Sequence, residues 1–247
     1  MNLTQIINDA HLLASSAMLG VWDVFNNSKT SIKILSNLDK DIKLSADVEI
    51  SQYLMKKLSS TGQRVVSEED HQGQLYGDDF YWLVDPLDGT FNYIREFPFY
   101  CCSIALVQGR EPLYGQILNL HDGSIIYGGK TLPSGHHVGL QTHLGKAALA
   151  SGFPLEFDFA SDAGKTLSFY SQFKKIRMIG SAASSLCLIA KGTLDLYYEK
   201  NIYFWDVAAG LAIVEASGGS YKAEFQEDSW KLTTAAGNKN LIDMVQL

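Results

Sequence analysis

The sequence is poor in the residues that define several protein classes. Its 247 residues include three cysteines, five prolines and five methionines, and 20 basic side chains stand against 27 acidic ones. Two of the cysteines, Cys101 and Cys102, are adjacent, so they do not form the even, spaced set that a small disulfide-stabilised secreted domain requires. We therefore expect a reducing environment, the cytoplasm.

Basic charge and long apolar runs are also scarce. The net charge is −7, and an acidic chain lacks the broad basic surface that holds nucleic-acid polymers or anionic membranes. Residues 1–27 have neither a basic start nor an unbroken apolar run, so we expect no signal peptide and no membrane span there. Their apolar positions recur at helical spacing and predict an amphipathic helix that packs on a core.

What the sequence does contain is typical of a globular protein. Hydrophobic residues make up 46% of the chain, which is enough apolar surface to offset the entropy of ordering. At roughly 100–200 residues per domain, the length allows one large domain or two closely packed halves. A stretch rich in Gly, Pro, Ser and His at 131–145 marks a seam. We expect an N-terminal α+β half, 1–130, and a C-terminal α/β half, 131–247, joined as one compact unit.

Local patterns predict the elements of both halves. The first half should contain a helix at 46–59 capped by Ser45, a short strand at 64–66, a strand buried on both faces at 80–84, and an antiparallel meander at 100–109, 112–120 and 124–129. The second half should alternate strands and helices before a final strand pair.

The segment DPLDGT, at 85–90, carries the clearest chemical signal, because it directly follows the buried strand and open α/β sheets bind ligands at such strand ends. Asp85 and Asp88 are three residues apart on a turn shaped by Pro86 and Gly89, so both carboxylates can converge on one point. All-oxygen ligand sets suit Mg²⁺. For the motif alone, an Asx turn that caps a helix starting near Thr90 is the simpler interpretation.

Other acidic residues at element ends favour the metal interpretation. Glu68 and Glu69 end a strand shortly before Asp85, and Asp206 follows Trp205 at the start of an apolar helix. Each alone is typical of a cap or a solvated surface, but together they supply the acidic groups that a site for two or three metal ions needs. The spacing of the aspartates in DPLDGT also differs from that of haloacid-dehalogenase phosphatases, which disfavours that family.

In their sequence context these motifs resemble the inositol monophosphatase family of Mg²⁺-dependent, Li⁺-sensitive phosphatases. The resemblance covers nearly the whole chain. It rests on Ser67-Glu68-Glu69, on WLVDPLDGTFNYIREFPFYCCSIAL from residue 82, on SGFP at 151–154, and on GSAASSLCLIAKGTLDLYYEKNIYFWDVAAG from residue 180. It implies a layered α/β/α/β/α sandwich of the inositol monophosphatase and fructose-1,6-bisphosphatase type, which is usually a homodimer.

The resemblance also implies roles for individual residues. It assigns two or three Mg²⁺ to the carboxylates and one carbonyl of Glu68, Asp85, Leu87, Asp88 and Asp206. It assigns activation of the attacking water to Glu68 and Thr90, and orientation of water to Asp47. It assigns contacts to the phosphate and the leaving alcohol to Asp88, Gly89, Thr90, Ala182, Glu199 and Asp206. By themselves, Asp47 reads as a first-turn helix acid and Glu199 as a solvated strand end.

The resemblance implies a metal-dependent phosphomonoesterase, and Glu199 favours a polyol hydroxyl in the substrate. Inositol 1-phosphate or a similar polyol or sugar phosphate is therefore the preferred substrate. Phosphatases of adenosine 3′,5′-bisphosphate, histidinol phosphate and fructose 1,6-bisphosphate share the same core and stay open as alternatives. A scaffold with a vestigial site is the non-enzymatic alternative, which the intact acidic set disfavours.

Some reactive residues fall outside this pattern. The cysteines, Cys101, Cys102 and Cys187, lie among apolar residues and are expected to pack in the core. Three histidines of the 131–145 stretch, His136, His137 and His143, have no matching ligand set for zinc. That stretch also replaces the hairpin usual in the family, so the resemblance assigns it no role.

Overall fold

The computed structural model describes residues 2–28, 34–38, 41–70, 77–153 and 159–247. The helices are α1 (Leu3–Ser28), α2 (Ser45–Leu58), α3 (Thr90–Ile94), α4 (Phe159–Tyr170), α5 (Ala182–Ala190), α6 (Phe204–Ala216) and α7 (Lys239–Met244). The strands are β1 (Ile34–Leu38), β2 (Asp41–Leu44), β3 (Arg64–Ser67), β4 (Phe80–Asp88), β5 (Cys101–Gln108), β6 (Glu111–Asn119), β7 (Ile125–Gly129), β8 (Ala148–Ser151), β9 (Lys175–Arg177), β10 (Leu196–Tyr203), β11 (Ser220–Phe225) and β12 (Lys231–Gly237).

The first large sheet has the order β3-β4-β5-β6-β7. β3 runs parallel to β4, and the remaining neighbours are antiparallel, so the predicted meander is confirmed. Both faces of β4 are buried, because its alternating side chains enter two different core clusters. Trp82 and Val84 pack toward α1 and α2, whereas Tyr81 and Leu83 pack toward α5 and α6.

The second large sheet has the order β11-β12-β10-β8-β9. β8 is parallel to both β9 and β10, and β12 is antiparallel to both β10 and β11. Tyr197 of β10 faces the cluster that contains α5 and α6, while Leu196 packs with Tyr170 of α4 and Leu241 of α7. The layers are therefore α1/α2, first sheet, α5/α6, second sheet and α4/α7, which confirms the predicted α/β/α/β/α sandwich.

Helix α6 is central to this architecture. Ten of its thirteen residues are buried, as expected for a helix with sheets on both sides. It crosses the first sheet so closely that a Cβ at Gly115 of β6 would lie 2.1 Å from the carbonyl oxygen of Ala209. Asp206, in its first turn, is thereby fixed relative to the strands of the first sheet.

Several local predictions need correction. Helix α2 begins at Ser45 rather than after it, and its N-cap residue is Leu44, whose N–H donates to the Asp47 carboxylate at 2.6 Å. An acceptor three residues into the helix thus replaces the expected serine cap. Strand β4 continues to Asp88, beyond the predicted end at 84. The hairpin β1/β2 and the short helix α7 had no signal strong enough to predict them.

Some expectations fall outside the described residues, including the Pro154 end of the SGFP motif. The division at 130 and 131 falls between the two large sheets, but whether each half behaves as a domain stays a prediction. Among the described residues, no helix combines the length and the apolar character needed to cross a membrane.

Candidate active site

Three carboxylates converge where the first sheet meets α6. Glu68 directly follows β3, Asp85 lies in β4, and Asp206 lies in the first turn of α6. Because β3 and β4 are parallel, with Ser67 opposite Val84, their ends bring the first two acids to the same edge. One oxygen from each of the three carboxyls lies within 4.8 Å of the other two. Such a cluster of hard oxygen donors fits Mg²⁺.

The crowding of these carboxyls changes their acidity. Removal from water raises the pKa of Glu68 to about 8, and the charges of Glu69 and Asp47 add to the rise. Burial, then the charge of Glu68, raises the pKa of Asp85 well above its ordinary range, and burial does the same for Asp206. With a pKa of about 8, Glu68 holds a proton at neutral pH in the absence of cations, and bound cations would compete with it.

The pairing of β4 with β5 is interrupted next to the carboxylate cluster. Between Asp85 and Asp88 the register of β4 against β5 shifts, where Pro86 has no N–H to donate. The Leu87 N–H donates to Asp85 Oδ1 at 3.0 Å, and the Leu87 carbonyl accepts the Thr90 hydroxyl at 3.0 Å. An Asx turn is thus present at Asp85 beside the carboxylate cluster, but it does not cap α3 as predicted, because the N-cap residue of that helix is Gly89, with no side-chain cap.

Gly89 is the turn residue that lets β4 pass directly into α3. Its φ is +85°, which favours glycine, and a Cβ there would lie 2.7 Å from the Phe99 carbonyl oxygen. Thr90 then begins α3, as predicted.

Asp88 differs from the three clustered acids because it binds to the second half of the chain. Its Oδ2 accepts the Ser181 hydroxyl at 2.6 Å and the Ala183 N–H at 2.7 Å, at the start of α5. Burial raises its pKa to about 6, and these hydrogen bonds oppose the rise. Asp88 thus connects the DPLDGT turn to the GSAA motif.

A cavity of about 430 Å³ opens beside Asp88. Its wall combines the ends of β4, β8 and β10 with the start of α5, and includes Gly152, Ala182 and Glu199. The Tyr197 hydroxyl donates to Glu199 Oε2 at 2.9 Å, and burial raises the pKa of Glu199 to about 7. The site therefore has an acidic cluster that could hold cations and an adjoining space that could hold a small organic group.

Comparison with known proteins identifies the family. A profile described as the inositol monophosphatase family matches residues 2–238. The chain belongs to the inositol monophosphatase family. The family predicted from the acidic and GSAA motifs is thereby confirmed.

Several relatives align over most of the chain. A fructose-1,6-bisphosphatase/inositol-1-monophosphatase of Aquifex aeolicus is 32% identical over 182 residues, which cover 68% of this chain and 66% of that protein. The chloroplastic phosphatase IMPL1 of Arabidopsis thaliana is 29% identical over 240 residues, covering 88% and 63%. The chain thus spans slightly less than two thirds of the length of both proteins. An inositol-1-monophosphatase of Caulobacter vibrioides is 31% identical over 211 residues, covering 77% and 78%.

Solved structures share the fold. The extragenic suppressor protein SuhB of Bartonella henselae superposes with a TM-score of 0.81 at 21% identity, over 96% of each chain. An IMPase/NADP phosphatase complexed with Mg²⁺ and phosphate gives 0.81 at 16% identity, over 95% and 92%. A staphylococcal inositol monophosphatase in a LiCl-soaked inhibitory complex gives 0.82 at 16% identity, over 99% and 94%. At these identities the likeness concerns the fold, and the predicted architecture of this family is confirmed.

Asp47, the cysteines and the histidines lie in different surroundings. Asp47 is buried and close enough to raise the pKa of Glu68, and it also caps α2, so the structural and the functional interpretation are compatible. The cysteines pack among apolar side chains, and burial raises the pKa of each thiol. Among the described residues, the potential metal-binding group is the Glu68, Asp85 and Asp206 cluster, which contains none of the histidines.

Sequence reasoning missed several residues of the cavity. Ser181, which holds Asp88, stands in the GSAA motif but was not singled out. Gly152 was also missed, although a Cβ there would lie 2.5 Å from Glu199 Oε1. Three apolar side chains at the cavity, Phe97, Phe153 and Met178, were also missed. The first two stand in stretches that carry the resemblance, but nothing in these separate segments indicates that they meet at one cavity.

Proposed function

We propose that this chain is a Mg²⁺-dependent phosphomonoesterase that hydrolyses a small phosphorylated alcohol, inositol 1-phosphate or a similar polyol or sugar phosphate. One observation carries the proposal: three carboxylates, Glu68, Asp85 and Asp206, converge beside an aspartate, Asp88, that lines an organic-sized cavity. The names of the Aquifex and Caulobacter relatives agree with this activity.

The cations supply positive charge to the phosphate and make water a better nucleophile, chemistry for which two or three Mg²⁺ suffice. Glu68, Asp85 and Asp206 would hold them, and the Leu87 carbonyl and Asp88 would complete the set. Because these donors are carboxylates and a carbonyl on rigid element ends, they are held close together before a cation arrives.

The neighbouring residues position the reactants. Thr90 already donates its hydroxyl proton to the Leu87 carbonyl, so its oxygen can accept a hydrogen bond from the attacking water. Glu68 accepts the proton of that water, and Asp47 orients it. The Gly89 and Thr90 N–H groups donate to the phosphate. Contacts to the rest of the substrate come from Asp88, Ala182 and Glu199, which line the cavity. Asp206, which the family resemblance adds, completes this group.

Removal of one carboxylate charge tests the proposal. Asp85→Asn keeps an oxygen that can accept the Leu87 N–H but removes an anionic ligand. We expect Mg²⁺-dependent phosphate release from inositol 1-phosphate to fall at least about 100-fold. The melting temperature of the metal-free protein should be unchanged or higher, because one like charge leaves a cluster of neighbouring carboxylates.

Glu227→Gln, at an exposed acid outside the site, is the matched control and should keep full activity. Normal Mg²⁺-dependent activity in folded Asp85→Asn would refute the proposed site. Complete inactivity of the native sequence on a panel of phosphomonoesters, with and without Mg²⁺ and Li⁺, would favour the scaffold instead.

We further propose a cytoplasmic homodimer that is inhibited by Li⁺ and folds as one unit from halves 1–130 and 131–247. The support is the family membership, the free cysteines and the packing of α6 against both sheets. Light scattering on the purified protein measures the dimer directly, and a monomer at micromolar concentration would count against it.

A further inference from the structure

The cavity beside Asp88 carries charge of one sign. Among the described residues that line it, Asp88 and Glu199 are ionisable and both are acidic, and no lysine, arginine or histidine is among them. Glu199 lies against Gly152, so its carboxylate forms part of the wall itself. Asp88 belongs to the proposed cation set, so a bound group that reaches beyond it meets the Glu199 carboxylate and no basic side chain of the described lining.

The described serine and asparagine side chains of the same wall already donate hydrogen bonds to other groups of the protein. Ser151 donates to the Tyr198 carbonyl at 2.6 Å, Ser181 donates to Asp88, and Ser185 donates to the Ser181 carbonyl at 2.7 Å. The Asn92 amide nitrogen donates to two carbonyl oxygens, at 2.7 and 2.8 Å. The described side chains of the wall thus accept hydrogen bonds far more readily than they donate them.

The rim of the cavity is apolar. Phe97, Phe153 and Met178 line it, and their exposed fractions are 46%, 41% and 47%. They come from the segment after α3, the segment after β8 and the segment after β9. Large apolar side chains that stay partly exposed around a concave site commonly contact a ligand.

We propose that Phe97, Phe153 and Met178 form a specificity-determining rim that contacts the apolar face of a neutral leaving alcohol and leaves a second phosphate group without a partner. This inference rests on the proposed phosphomonoesterase activity and narrows it. A neutral polyol offers hydroxyl donors to Glu199 and C–H groups to the rim. A second phosphate would offer only hydrogen-bond acceptors and negative charge. The described wall also consists of acceptors and carboxylates, so this contact would weaken binding.

A matched pair of substrates tests the rim. Fructose 1-phosphate and fructose 1,6-bisphosphate differ only in the second phosphate. With the full chain and saturating Mg²⁺, we expect kcat/KM for the monophosphate to exceed that for the bisphosphate at least about tenfold. Equal or better hydrolysis of the bisphosphate overturns the inference and leaves the proposed phosphomonoesterase activity intact.

If neither sugar phosphate nor inositol 1-phosphate is hydrolysed, the proposed function fails, and binding then tests the rim separately. In Mg²⁺, fructose 1-phosphate should raise the melting temperature more than the bisphosphate does. The opposite order overturns the inference.

A cation placed at the rim provides the second test. Met178→Lys should lower the preference for the monophosphate about tenfold, mainly through the KM of the bisphosphate, because an ammonium group can pair with the second phosphate. Leu140→Lys is the matched control, since Leu140 is 89% exposed and is not part of the cavity. Identical substrate preferences in the two variants would show that the rim does not contact the far end of the substrate.

Discussion

The two ends of the cleft differ in chemistry and in how the chain forms them. The acidic end is built from Glu68, Asp85 and Asp206, which follow or begin regular elements and stand in recognisable motifs. The far end is built around Glu199 by single residues of several segments, with an apolar rim. In the proposed phosphatase, the acidic end would serve any phosphate ester, whereas the far end would select the alcohol. Reaction class and substrate preference would then be encoded in different parts of the sequence.

The two ends should differ most in how they make stability depend on pH. We expect the acidic end to cause most of this dependence. An ordinary glutamate titrates near 4.3, and in the folded protein the pKa of Glu68 is raised to about 8. Between these values the folded state binds more protons than the unfolded state, so stability falls as pH rises. We expect the melting temperature of EDTA-treated protein to drop by about 5 °C or more from pH 5 to pH 8.

Mg²⁺ should reverse this trend, because it binds the deprotonated carboxylates. Calorimetry with and without Mg²⁺ should show a thermal gain that grows with pH, and Asp85→Asn should flatten the metal-free curve. A metal-free melting temperature that rises from pH 5 to pH 8 would contradict the raised pKa values of the acidic end.

A smaller effect is expected where the two ends meet. Ser181 donates to Asp88 and also accepts the Ser184 N–H at 3.2 Å as the N-cap of α5. Ser181→Ala removes both bonds and should cost about 1–3 kcal/mol of stability. The loss of a donor should also raise the pKa of Asp88, so the acidic limb of the pH–rate profile should move to higher pH.

Ser181→Thr keeps the hydroxyl and is the control. This variant should show the native pH–rate profile. If Ser181→Ala lost stability but kept the native profile, Ser181 would have only a structural role and would not position Asp88.

The smallest effect is expected at the far end alone. A Cβ at Gly152 would lie 2.5 Å from Glu199 Oε1, so Gly152→Ala should displace this carboxylate from its place beside Tyr197. We expect the KM for inositol 1-phosphate to rise several-fold, up to about tenfold, with kcat nearly kept. Steady-state kinetics separates the two constants, and Gly164→Ala, in an open position on α4, is the matched control. A fall in kcat alone would mean that the far end also takes part in the chemical step.

The acidic end and most of the fold could be predicted from the sequence because both depend on local patterns. The continuous hydrophobic run of β4 predicted that both of its faces are buried. The turn residues between β5, β6 and β7 predicted the meander. The convergence of Glu68 and Asp85 required only that two strands lie side by side. Asp206 could be singled out as an acid at the start of an apolar helix, but its role as a metal ligand required the family resemblance, since nothing local indicates that α6 begins at this edge.

The far end could not be predicted because it depends on tertiary packing. Phe97, Phe153 and Met178 are ordinary apolar residues until the second sheet brings their segments together. The predicted cap of α2 was wrong for a related reason, since the backbone geometry at Leu44 makes that residue the N-cap and places Ser45 inside the helix.

The position of Asp206 late in the chain has a consequence during protein synthesis. Asp85 and Asp206 are separated by 121 residues, so at about 5–20 residues per second a ribosome needs roughly 6–24 s to make the last member of the cluster after the second. During that interval β5 and β6 also lack α6, which covers one of their faces. A nascent or truncated chain that ends before residue 206 cannot gather all three acids around a cation. In the proposed metal site, Mg²⁺ can therefore stabilise the chain only after synthesis has passed residue 206.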